Sequence, residues 1–336
     1  MRKGIGIIQW LCALTVAFFL VNALCFFYER PTGWFDTPNG PSLAGWRPGS
    51  VLVHGTEGYG ITRVDENGYL NPPGKLESEY ILMMGSSHTQ GKEVPSSQKY
   101  SVLVNTHFSK GTDMLRAYNI ASDGNFLPSI IQHFQAAVQA FPDSEMVTIE
   151  IANTDFSEEA LRNALSQVTL DTDNSVANQN RSAGLKKQIS NLIKEGFPLL
   201  SLMKSKWKTA GAQDNSAELQ PVDGGVYSAL LNQAMGLIRS EYDHPIVFIY
   251  HPPVSLREDG TLGICYDTMW PEFQKACASN DIDIIDMGPV FEQWYYEHRQ
   301  LPYGFCNTAP GTGHLNKVGH QLIADALIEY IERKAV

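Results

Sequence analysis

The chain has 336 residues, 43% of them hydrophobic, with 36 acidic and 25 basic side chains and a net charge of −11. That length accommodates one large α/β domain or two small ones, and the apolar content suffices for a sizeable core. The acidic balance lacks the basic footprint of a nucleic-acid binder and argues against a strongly polyanionic partner.

Arg2 and Lys3 precede an apolar run from about Gly4 to Tyr28, broken only by Gln9, Thr15 and Asn22. A helix needs ~20 residues to cross the hydrocarbon core. The run therefore predicts an uncleaved transmembrane signal anchor over 1–28, with its cationic end in the cytoplasm and everything after Glu29 outside. A cleaved signal peptide is the rival reading. Val21 and Ala23 have small-residue spacing, but the mature chain would then open on Leu24-Cys25-Phe26-Phe27. The Pro- and Gly-rich residues 29–50 predict an extended stalk, and 51–336 an outer domain.

Within that domain, VLVHGTEGYGITRVDENGYL predicts short strands and turns, with a turn signal at Glu66-Asn67-Gly68. EYILMMG, ending at Gly85, is a buried strand, and KYSVLVNTHF a helix. AYNIA (117–121), MVTIEIA (146–152), PIVFIYHP (245–252) and IDIIDM (282–287) are further strands. Residues 127–141 carry helical apolar spacing at Ile130, Ile131, Phe134, Val138 and Phe141, and 319–335 form a closing helix. Strands alternating with helices imply a parallel sheet flanked by helices, in a single domain. The polar stretch at about 165–223 interrupts the alternation and reads as a helical insertion. One face of it carries Leu185, Ile189, Leu192 and Ile193, followed by Lys204, Lys206, Trp207 and Lys208. Such a helix could touch a membrane surface, but an apolar face ordinarily packs on the core, and a helix covering the sheet is the favoured reading. Of the cysteines outside the apolar run, Cys277 reads as a helical core residue. Cys265 and Cys306 fall in loops and are candidates for a bridge, since the domain is expected in an oxidising compartment.

Two motifs carry chemistry. Gly85-Ser86-Ser87-His88-Thr89-Gln90-Gly91 joins a buried strand to a helix, which puts a serine at the carboxyl edge of the sheet, where open α/β folds place ligands. Gly311-Thr312-Gly313-His314-Leu315-Asn316 sets a histidine in a glycine-rich loop before the last helix. A serine needs a base to become nucleophilic near neutral pH, and histidine has a suitable pKa. Ser87 and His314 are thus the expected nucleophile and base. His88 could line the pocket and His251 could reach the sheet edge, although structural roles explain both, as for His320. No metal-ligand spacing, P-loop or G-x-G-x-x-G is present, so no metal, nucleotide or other cofactor is expected.

The order of these motifs resembles the SGNH (GDSL-like) hydrolase superfamily. G-x-S-x-T-x-G at 85–91 matches its first block, Asn119 to Gly124 its second, IEIANTD (149–155) its third and GHLNKVGHQLIADAL (313–327) its last. The resemblance implies a flavodoxin-like three-layer sandwich, a Ser87–His314 acyl-enzyme mechanism, and an oxyanion hole made by Ser87, Gly124 and Asn153. With the anchor, it implies a carboxylic ester hydrolase or O-acyltransferase acting on small acyl esters of a bacterial cell-envelope glycan, an ester-bearing carbohydrate. A weakly active or inactive binding protein of polysaccharide assembly is the alternative. Ser86 stands where the family has an aspartate, Ile151 where it has a glycine, and Gly311 where its triad acid commonly lies. Asp123 and Asp267 are possible replacements for that acid, but a dyad supported by a main-chain carbonyl from the Gly311–Gly313 loop is the favoured expectation.

Overall fold

The computed structural model describes residues 2–32, 34–37, 40–109, 114–171, 192–193, 195–211 and 224–334. In chain order the elements are α1 (Arg2–Cys25), β1 (Trp34–Thr37), β2 (Gly40–Trp46), β3 (Val51–His54), β4 (Gly60–Arg63), β5 (Lys75–Met84), α2 (Ser87–Gln90), α3 (Tyr100–Ser109), β6 (Met114–Asn119), α4 (Leu127–Ala140), β7 (Ser144–Ile151) and α5 (Glu158–Asp171). They continue with α6 (Pro198–Gly211), α7 (Gly224–Ser240), β8 (Ile246–Tyr250), β9 (Val254–Leu256), β10 (Leu262–Ile264), α8 (Trp270–Ser279), β11 (Asp283–Asp286), α9 (Gly288–His298) and α10 (Lys317–Lys334).

Five parallel strands form the central sheet in the order β11-β8-β7-β5-β6. Stretches such as Tyr80–Met84 of β5 and Ile246–Tyr250 of β8 are apolar and buried because both faces are covered. On β5, alternate side chains point to opposite faces. Leu82 and Met84 join a core with Ile130 and Phe134 of α4, Leu231 of α7 and Phe273 of α8. Ile81 and Met83 join a second core with Tyr100 of α3, Phe291 of α9 and Ile323 of α10. The result is three layers, helices on each side of one sheet. From β5 the chain steps to β6 on one side and then to β7 on the other. That reversal of direction leaves a crevice beyond the carboxyl end of β5, the usual position for a ligand in an open α/β sheet.

The outlying segments differ from their sequence-based description. In place of an extended stalk, the described residues of 29–50 fold back on the domain. Arg30 bridges to Val53, β1 pairs with β2, and Leu43 is buried against the first core. The physical reason is that this stretch holds apolar side chains the domain can bury and backbone it can pair: Trp46 N donates to Gly68 O. At the expected insertion, Leu165 and Val168 belong to α5 and are buried in the core. Leu185 and Ile189 lie outside the described residues. The helix α6 packs against α1 rather than covering the sheet. Cys265 and Cys306 are free and exposed.

Candidate active site

The first block is built as a tight turn from β5 into α2. Gly85 has φ +155°, and a Cβ there would collide with Thr89 Oγ1 and the Glu150 carboxylate. Ser86 caps α2, its Oγ accepting from His88 N at 3.3 Å. Beneath the turn lies Glu150 of β7, fully buried. Its carboxylate accepts from Ser86 N (2.8 Å), Ser86 Oγ (3.0 Å), Thr89 N (3.3 Å) and Thr89 Oγ1 (2.8 Å), and meets His251 Nε2 at 2.7 Å. Burial raises the Glu150 pKa, but the His251 hydrogen bond, the charges of His251 and His88 and the Ser86 N–H hold it well below the carboxylate range. His251 in turn meets Tyr303 Oη at 2.8 Å through Nδ1. Glu150 thus supplies, from the adjacent strand, the carboxylate absent at position 86.

Ser87 follows, largely buried rather than solvent-facing. Its Oγ lies 2.8 Å from His314 Nε2. His314 Nδ1 lies 2.6 Å from Glu57 Oε2, and His314 N donates to Glu57 Oε1 at 2.7 Å. The position expected for a main-chain carbonyl is therefore held by a carboxylate from the β3–β4 turn. Gly313 does not turn its carbonyl to the ring. At φ +76° and without a side chain, it leaves the space that Glu57 occupies, which a Cβ would enter. The other two acids are engaged elsewhere: Asp123 pairs with Lys92 at 2.7 Å, and Asp267 accepts from Thr154 N at 2.6 Å.

Charge around the ring favours its protonated form. Burial works to lower the His314 pKa, but the Glu57 hydrogen bond and the charges of Glu93 and Glu57 raise it above the ordinary value. Burial likewise raises Glu57, while the side-chain and backbone hydrogen bonds of His314 bring it below the usual range. Glu93 is buried, with Oε1 3.8 Å from His314 Nε2. His88 lies between two other imidazoles, its ring centroid 4.6 Å from that of His251 and 5.0 Å from that of His314. Its Nδ1 accepts from Leu315 N, and burial first, then the neighbouring rings, push its pKa well below normal. His88 thus forms one wall of the site, in surroundings that oppose its protonation. His320 is a core residue whose Nδ1 accepts from Tyr100 N.

The second block is joined to α2 by Asn119, whose Nδ2 donates to Thr89 O and whose Oδ1 accepts from Ala121 N. Gly124 stands in the following turn, beside the Lys92–Asp123 pair. Asn153 is spent in its own turn: Nδ2 donates to Asp155 O and Oδ1 accepts from Asp155 N. A small hollow adjoins Ser86 between Asn125, Phe126, Ile151, Asn153 and Phe156. Among the described residues, no group of three or more His, Cys, Asp or Glu is arranged to hold a metal.

Motif reading missed Glu57, Glu93 and Glu150. The available signal for Glu57 was its turn, Gly55-Thr56-Glu57-Gly58-Tyr59-Gly60. A Cβ at Gly58 would strike Glu93 O and Phe305, and one at Gly60 would strike Lys92 O, so the glycines clamp the hairpin onto the catalytic segment.

No family model matches the chain, and no curated protein does. It is similar to several solved structures. One is an α/β hydrolase enzyme from the metagenome of Lake Arreo, Spain, 15% identical, covering 76% of this chain and 95% of the other at a TM-score of 0.39. Another is a psychrotrophic esterase from a Pseudoalteromonas species, 11% identical, covering 77% and 99% at 0.38. A third is described as a lipolytic protein of the G-D-S-L family from Desulfitobacterium hafniense, 10% identical, covering 75% and 99% at 0.35.

Proposed function

We propose that the chain is a membrane-anchored serine ester hydrolase or O-acyltransferase of the SGNH type, working outside the cytoplasm on small acyl esters of an envelope glycan. The observation that carries this reading is the connected series Ser87 Oγ, His314 Nε2, His314 Nδ1, Glu57 Oε2, with gaps of 2.8 and 2.6 Å. A carboxylate on Nδ1 fixes the tautomer that leaves Nε2 free to accept, and it stabilises the imidazolium that follows. His314 takes the Ser87 proton as Oγ attacks the ester carbonyl. The developing oxyanion is received by the N–H groups of Ser87 and Gly124, joined by the Asn153 amide once it leaves Asp155. One such donor is typically worth ~3 kcal/mol in the transition state. The imidazolium then protonates the departing alkoxide, leaving an acyl-serine. Water or a sugar hydroxyl, deprotonated by His314, resolves it.

The binding-protein alternative rests on the missing aspartate; the Glu57 carboxylate on His314 Nδ1 supports the catalytic reading over it. The test is covalent labelling by a serine-reactive phosphonate: the native chain should label on Ser87 and Ser87→Ala should not. Labelling at another residue, or none in the native chain, would overturn the reading. Product analysis with and without a glycan acceptor separates transfer from hydrolysis.

A further inference from the structure

One face of α1 is covered by protein. From Ile7 to Leu24 the helix is exposed except at Phe18 and Asn22, four residues apart and so on the same side. The Phe18 ring lies 6.1 Å from that of Phe197. Asn22 Nδ2 donates to Gly196 O at 3.0 Å, and its Oδ1 accepts from Leu199 N at 3.2 Å. At 1.5 Å rise per residue, Asn22 and Phe18 stand about 5 and about 10 Å back from Cys25, the end of the helix. Both positions fall inside the apolar run Ile7–Cys25. If that run crosses a membrane, the turn at Gly196–Phe197 and the start of α6 cannot remain wholly above the bilayer.

The hydrogen bonds fit this placement. A side-chain amide in hydrocarbon is costly unless it is paired. A helix start also leaves backbone N–H groups without intrahelical partners, and non-helical backbone at membrane depth must be satisfied by protein. Here the two needs meet: Asn22 pairs Gly196 O and Leu199 N, and they pair Asn22. On the outer side the segment presents Leu192, Ile193, Leu200 and Met203, 42–63% exposed. Of its nearby charges, Glu195 is paired with Arg47 at 3.0 Å, and Lys204 is exposed just beyond Met203.

Resting on the anchor reading, we infer that residues 192–193 and 195–203 form a second membrane contact, a wedge held against α1 in the outer leaflet with lipid acyl chains as its partner. The test uses the full chain in phosphatidylcholine vesicles, with its native cysteines replaced and single nitroxide labels at Leu200→Cys, Met203→Cys, Leu14→Cys and Phe126→Cys. Oxygen and a water-soluble nickel chelate are the relaxants. The expected result is that positions 200 and 203 favour oxygen over nickel, as Leu14→Cys does, while Phe126→Cys shows the reverse. A water-like profile at 200 and 203 with a lipid-like Leu14→Cys would overturn the wedge and leave the anchor standing. Shielding of 200 and 203 from both relaxants would mean a protein partner and would also overturn it. A water-like Leu14→Cys would remove the anchor, and the wedge with it.

Discussion

Glu57 and His314 are 257 positions apart, and their contact governs how the site should respond to substitution and to pH. Glu57→Gln keeps the shape but loses the charge and the tautomer control, and turnover of an activated ester should fall by ~10⁴, the loss seen when a triad acid is neutralised. Gly313→Ala should fall comparably by displacing the same carboxylate, whereas Asp123→Asn and Asp267→Asn should stay near native turnover. A large loss at either aspartate with little at Glu57 would refute the assignment. The base must be neutral to act, and its pKa is raised above 6.5, so the acid limb of kcat/KM should lie above that pH. Glu57→Gln and Glu93→Gln should each move the limb to lower pH. The stability contribution has the opposite sense: it is present below about 6.5, where the ring is charged in both folded and unfolded chains, and is lost as pH rises through the raised value. Ser87 and His314 were legible because each sits in a short motif whose backbone setting is local. Glu57 was not, because only the packing of the β3–β4 hairpin brings it to the ring.

At the scale of elements, the sheet was legible where sequence and burial coincide. The central strands coincide with the predicted segments, apolar and buried at Tyr80–Met84 and Ile246–Tyr250, and α3, α4 and α10 keep their expected places. Helix α9 was passed over and α8 was read only at Cys277, although each has a proline in its first turn, at Pro271 and Pro289, where a missing N–H costs nothing. Inside the sheet, Glu150 reads as a polar interruption of an apolar strand, yet it is the acceptor around which the nucleophile turn closes. Glu150→Gln should destabilise the fold by about 3–5 kcal/mol, since His251 and the turn lose a charged acceptor where water cannot replace it. That is on the order of 10 °C in Tm. Its depressed pKa means the contribution is present at neutral pH and persists well below pH 4 before acid removes it. A Glu150→Gln chain that melts like the native one would show the carboxylate to be dispensable to the fold.

For the whole molecule, the N-terminal helix α1 and the turn that carries Glu57 share one support. Tyr59 Oη donates to Phe27 O at 2.9 Å, and Glu29 accepts from Gly55 N at 3.3 Å while facing His54 Nδ1 at 3.4 Å. Both contacts land on the turn that carries Glu57. A domain beginning after Arg30 loses them, so its turnover should drop by ~10- to 100-fold, the scale of an ångström's misplacement in an active site. Phosphonate labelling of Ser87 should persist in it. Unchanged turnover would show that the turn holds Glu57 unaided. The folded-back segment 29–50 has a further consequence, one of reach. Twenty-two residues as a free tether would give an r.m.s. span of about 26 Å, and more when pulled taut. Folded against the domain they give none, so an anchored catalyst patrols only a layer about as deep as itself. If the chain is the anchored O-acyltransferase of the proposed reading, polymer already exported beyond that layer is out of range, and acyl groups should appear on strands still being made at the membrane. In a pulse of labelled precursor they should reach full density on the youngest material, and a slow rise on old polymer would contradict a catalyst without a leash.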